Sequence, residues 1–177
     1  MSCVVAVKDE RNRRIYIGAD SAVSTDTEIS FFKNKIYQLS NDCIVGITGN
    51  IKIANAISRF NNKNKIGKTF EETLDKIYEL FNEMSIIGVN TQNQTPFFEG
   101  NLAIIFKGKL YEVSCDFGYM ERDSYLAVGS GASYAYGSLF ATKKSKNPRQ
   151  RVFTALEASA YFSPYVRAPF SIIEIDY

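Results

Sequence analysis

Ser2 is the residue whose surroundings first suggest chemistry. It opens directly onto an apolar run of strand type, Cys3-Val4-Val5-Ala6-Val7. A small residue at this position normally permits removal of the initiator Met1. Ser2 would then carry a hydroxyl nucleophile and a free α-amine together. An α-amine titrates near pH ~8 and can serve as its own general base. The chain has no histidine, so neither a Ser-His-Asp nor a Cys-His arrangement can be built from it.

Composition narrows the remaining options. The 177 residues are expected to form one domain, 1–177, long enough for a sizeable core. Net charge is +2, from 21 basic and 19 acidic residues of scattered sign, so there is no electrostatic case for nucleic acid or a membrane surface. The basic cluster Lys143, Lys144, Lys146, Arg149 and Arg151 surrounds Asn147-Pro148 and reads as a solvated inter-helix loop. Cys3, Cys43 and Cys115 form no CxxC and lie in or near apolar runs. They read as reduced core thiols of a cytoplasmic protein, and neither a zinc site nor any other cofactor is expected. The opening apolar run is too short for a signal peptide and lacks a basic leader. No stretch approaches the ~20 apolar residues of a membrane span.

These chemical groups need elements to position them. Residues 3–8 and 14–19 read as strands joined by a charged loop, with 27–32 and 35–39 as shorter candidates. Residues 43–48 form an apolar run typical of a buried strand, broken at Gly49-Asn50. Ile51, Ile53, Ala54, Ile57 and Phe60 recur at helical spacing. A second helix is expected from about Phe70 to Met84, with Thr69 as N-cap and Glu72 completing a capping box. Residues 88–100 read as loop. Strands 102–107 and 109–114 follow, joined by Gly108-Lys109. Strand 125–128, helices 132–141 and 149–162, and strand 170–175 complete the chain. This order suggests helices packed on sheets in layers.

Four short motifs stand at compatible spacing on these elements: Ser2-Cys3-Val4-Val5; Gly18-Ala19-Asp20 with Asn34-Lys35-Ile36-Tyr37-Gln38-Leu39; Val45-Gly46-Ile47-Thr48-Gly49; and Gly129-Ser130-Gly131 leading into Ala132-Ser133-Tyr134-Ala135-Tyr136-Gly137. Together they resemble the proteasome β-type subunits, and HslV more closely, within the N-terminal nucleophile (Ntn) hydrolases. The resemblance covers nearly the whole chain. It implies an α+β, four-layer αββα sandwich of two mostly antiparallel sheets flanked by helices.

The resemblance also implies roles. Ser2 would be the nucleophile, where the family usually has Thr. Asp20 and Lys35 would form a buried pair beside it: the ammonium stabilises a developing alkoxide, and the carboxylate keeps it charged and oriented. Lys33 competes with Lys35 for this role; the Lys-apolar-x-x-Leu pattern favours Lys35. Gly46 would give its N–H to an oxyanion hole. Ser130 would contact the α-amine and relay a proton; a phosphate-cradling loop is the rival reading of its glycines. One family feature is missing. Where the resemblance places a second Asp before the last strand, this chain has Ser163.

The implied activity is amide-bond hydrolysis of peptide or unfolded protein by Ser2 after loss of Met1, as in the threonine-type peptidases. A homo-oligomeric ring and an ATP-dependent unfoldase are the implied partners. The alternatives are a non-catalytic assembly or binding protein on the same fold, and a small-molecule amidase of the wider superfamily.

Overall fold

A computed structural model describes residues 2–24, 29–31, 34–60, 66–91 and 94–177. In chain order its elements are β1 (Cys3–Asp9), β2 (Arg14–Ala19), β3 (Ala22–Ser24), β4 (Ile29–Phe31), β5 (Ile36–Ser40) and β6 (Cys43–Gly49). Then come α1 (Ile51–Ile57), α2 (Phe70–Glu83), β7 (Gly88–Val89), β8 (Pro96–Phe97), β9 (Gly100–Phe106), β10 (Lys109–Val113), β11 (Tyr119–Arg122) and β12 (Tyr125–Gly129). The helices α3 (Ala132–Ala141) and α4 (Pro148–Phe162) precede the last strand, β13 (Ser171–Asp176).

Two antiparallel sheets carry the architecture. One has the order β12-β1-β2-β13, the other β11-β10-β9-β6-β5. They face each other across Val4, Ala6, Ile15, Ile17, Ile44, Ala103, Ile105, Leu110 and Leu126, all buried. The outer face of the second sheet is covered by α1 and α2, through Ile53, Ile57, Phe70, Ile77 and Phe81. The outer face of the first is covered by α3 and α4, through Leu139, Val152, Ala155 and Leu156. The result is the expected αββα sandwich. Strands β1, β2 and β6 are apolar on both faces because each is buried on both faces.

Local chemistry accounts for the element ends. Thr69 caps α2 by accepting the Glu72 N–H at 3.2 Å. The Glu72 carboxylate reaches one residue further back than the capping box requires, to the Lys68 N–H at 2.7 Å. Pro148 stands in the first turn of α4, behind an Asn147 cap. At the other end of α4, the Arg167 guanidinium donates to the carbonyls of Ala160, Ser163 and Val166. Gly18 lets α4 approach β2 closely: a Cβ there would stand 2.6 Å from Val152.

The structure departs from the sequence expectations in several places. Cys115, expected in the core, is exposed, and Arg151, expected in a solvated loop, is buried on α4. β11 was not expected. The segment expected to be loop at 88–100 contains the short β7–β8 pair and the start of β9. The strand candidate 27–32 is β4, shorter and paired with β3, another element that was not expected; Thr27 and Phe32 lie outside the described residues.

Candidate active site

The site forms where β1 begins. Ser2 is 4 % exposed, and Cys3 immediately enters the centre of the first sheet. β2 runs alongside and ends at Ala19, so Asp20 emerges next to the start of β1. Its carboxylate is held on both oxygens. Oδ1 accepts the Cys3 N–H at 2.9 Å, and Oδ2 accepts the Ala22 N–H at 3.0 Å and the Arg167 N–H at 3.5 Å.

Lys35 precedes β5 in the opposite sheet and bridges the gap. Its ammonium donates to Ser2 Oγ at 2.8 Å, to Asp20 Oδ1 at 2.9 Å and to the Ala22 carbonyl at 2.6 Å. All three N–H bonds are spent. The Lys35 and Asp20 side chains are 4 % and 0 % exposed. Burial pulls the Lys35 pKa below its ordinary value, and the Asp20 charge and hydrogen bond oppose that fall. Lys33, the rival for this position, lies outside the described residues, as does Met1.

The third group comes from the turn after β12. Ser130 Oγ donates to the Ser2 carbonyl at 3.3 Å, and the Gly131 N–H reaches the same oxygen at 3.4 Å. Gly129 has φ +95°, and a Cβ there would collide with the Ser2 carbonyl oxygen. Only glycine fits this approach without strain.

Gly46, expected to give its N–H to an oxyanion hole, is not among the residues that line the cleft at Ser2. It lies within β6, between Ile36 on β5 and Ala103 on β9. A Cβ at 46 would stand 2.6 Å from Val4 Cγ1 and 3.2 Å from Ile17 Cδ1. This glycine allows the two sheets to approach. Three residues on, Gly49 shares a cleft with Ser2: a space of about 210 Å³ is lined by Ser2, Thr48, Gly49, Gly100, Asn101, Gly129 and Ser130. Ile47 donates its N–H to the Lys35 carbonyl at 2.8 Å. Alternation along β6 turns the Gly49 N–H toward the same edge. In sequence, Gly49 closes the motif that begins at Val45, and Gly49-Asn50 reads as a break between strand and helix.

Ser163 also has a different task from the missing acid. It is buried at the end of α4, and its Oγ accepts the Tyr165 N–H at 3.3 Å. Cys3, adjacent to Ser2, is no rival nucleophile. Burial pushes its thiol up to about 12, and a protonated thiol is a poor nucleophile.

A buried hydroxyl in contact with a Lys–Asp pair, on the first residues of a strand inside an αββα sandwich, defines the Ntn-hydrolase fold. A family model described as proteasome subunit matches residues 2–157, and the chain belongs to the proteasome subunit family. Among solved structures, it is similar to BPH of Thiobacillus denitrificans in complex with epoxomicin, at 17% identity and TM-score 0.80 over 98% of both chains. It is similar to HslV from Trypanosoma brucei, at 12% identity and TM-score 0.73 over 99% of both chains. A third is the Anbu (Gly-1) mutant from Hyphomicrobium sp. strain MC1, at 12% identity and TM-score 0.71, over 99% of this chain and 82% of that one. At these identities the likeness is one of fold. Comparison with curated proteins by sequence finds no match.

No helix among the described residues is long and apolar enough to cross a membrane.

Proposed function

We propose that the chain, as one domain over 1–177, is a peptidase that uses Ser2 as nucleophile once Met1 is removed. The observation that carries this reading is the buried Lys35 ammonium, shared between Ser2 Oγ and Asp20. Ser2 Oγ accepts from Lys35, so its own proton is free to pass to the α-amine of the same residue. Oγ then attacks the carbonyl carbon of a peptide bond. The charge that develops on the carbonyl oxygen is met by the Gly49 N–H, with the Lys35 ammonium adding positive potential at Oγ. The α-ammonium returns its proton to the departing amine. Water hydrolyses the resulting ester by the same route, regenerating Ser2. Ser130 orients the first residue through its carbonyl.

Two measurements on the purified protein test this. The mass of its N-terminal peptide should correspond to a chain beginning at Ser2. An epoxyketone, which condenses with a hydroxyl and an α-amine on one residue, should form an adduct on that peptide. Retained Met1 with no adduct would favour a non-catalytic assembly or binding protein. Turnover of small amides without peptides would favour an amidase.

The same reading includes a ring of identical subunits, because an open peptidase site would threaten the proteins around it. The 11 Tyr and 13 Phe support an interface, where aromatic residues are enriched. Exposed Tyr134, Phe140, Tyr161 and Phe162 show that they are not all spent in the core. A persistent monomer by sedimentation at micromolar concentration would reject the ring. Enclosed sites admit only unfolded chains, so an ATP-dependent unfoldase is the expected partner. Degradation of folded proteins at full rate without ATP would remove that need. Three free cysteines suit the reducing cytoplasm; recovery of the chain from the secreted fraction would oppose that location.

A further inference from the structure

Ser159 lies on α4, fully buried, with no role in the chemistry above. A serine inside a helix commonly returns its hydroxyl to its own helix four residues back. Ser159 does so, at 2.8 Å from the Ala155 carbonyl, but it also stands 3.0 Å from the carbonyl of Gly131. Its single proton is shared between the two. The Cys3 thiol fills the accepting side, donating to Ser159 Oγ at 3.4 Å. One hydroxyl therefore touches the residue after the nucleophile and the turn that carries Ser130.

That turn encloses the nucleophile's own carbonyl. The Ser130 hydroxyl and the Gly131 N–H point at it, and Gly129 packs against it. Among the described residues, no other side chain is bonded to the backbone of 129–131. The approach is close as well: a Cβ at Gly131 would stand 2.9 Å from the Ser159 Cβ and 2.9 Å from the Cys3 Cβ. Ser163, where the resemblance leads one to expect an acid, is occupied with Tyr165 and supplies nothing to the turn.

We infer that Ser159 is a positioning residue, whose hydroxyl holds the Gly129–Gly131 turn, and with it Ser130, against Ser2. This rests on the peptidase reading for its effect on turnover, but not for its effect on the turn. Displacement of a catalytic residue by about 1 Å can cost ~100-fold in rate. The Ser159→Ala enzyme should accordingly lose about 10- to 100-fold in kcat, with KM changed less than about twofold.

The test pairs kinetics with amide hydrogen exchange on the full-length protein. In Ser159→Ala, the peptide spanning 129–135 should exchange at least about tenfold faster, while β9 and β10 keep wild-type rates. Ser159→Cys is close to isosteric and a weaker donor, and covers the case in which the alanine variant does not fold. It should show the same kcat loss at native melting temperature. Wild-type exchange at 129–135 in both variants would overturn the inference whether or not the protein is active. So would kcat within twofold of wild type in an active protein. Faster exchange at the turn in a protein whose wild type shows no Ser2-dependent turnover would leave the positioning role standing and reject the peptidase reading.

Discussion

Ser2→Ala should abolish amide hydrolysis while leaving the fold intact. The loss should be at least ~10⁴-fold in kcat, in the range seen when a hydrolytic nucleophile is removed outright. No other group nearby can take over. Cys3 is one residue away, but its side chain points to the opposite side of the strand, toward α4 and Ser159. Its thiol is held in the protonated form. The fold should survive, because alanine fills the same position and only the Lys35 contact to Oγ is lost; the ammonium keeps Asp20 and the Ala22 carbonyl. Circular dichroism and the melting temperature check the fold, and peptide turnover by the Met1-free protein checks the chemistry. Full activity in Ser2→Ala would remove Ser2 as the nucleophile.

The second large effect concerns the Lys35–Asp20 pair. Lys35→Ala should eliminate turnover, and Asp20→Asn should lose much of it by leaving the ammonium poorly oriented. The double variant should be scarcely worse than Lys35→Ala alone, because Asp20 acts through Lys35. Additive losses would mean that the two act separately. Removing one member of a buried pair also costs stability, about 3 kcal/mol or more for Lys35→Ala. Activities must therefore be compared at a temperature where every variant is folded. The pH profile gives a separate check. Burial lowers the Lys35 pKa and Asp20 counteracts it. Taking away the Asp20 charge should lower it further, so the ammonium is lost at a lower pH. The alkaline limb of activity in Asp20→Asn should move to lower pH relative to wild type. An unmoved limb would mean that Lys35 does not set it.

Much of this was legible in the chain. The apolar runs of β1, β2 and β6 announced themselves because a strand buried on both faces needs no alternation. Asp20 follows such a run and Lys35 stands just before the half-buried β5; the roles expected of both came from the resemblance of the motifs around them. Gly46 was hard to read for a physical reason. A glycine in a strand can expose its N–H to a ligand or let another layer come close, and both uses look alike in sequence. Here Val4 of the other sheet stands where its side chain would be. Gly49 was passed over because a glycine after a strand also ends it. β11 escaped because Tyr-Met-Glu-Arg, largely exposed on a sheet edge, has no buried face to impose a pattern. Ser159 carried no signal at all, since a serine within a helix is unremarkable until its neighbour across the layer is known.

The Arg167 N–H that closes on Asp20 comes from 147 residues away in the chain, and the Ser130 hydroxyl that meets Ser2 from 128. β1 itself lies between β2, which follows it at once, and β12, which is made much later. A chain still emerging from the ribosome therefore carries its first strand, its hydroxyl and its Lys–Asp pair long before it carries the turn and loop that complete their setting. The order of synthesis places a delay between having the reactive residue and having the pocket that would make it work.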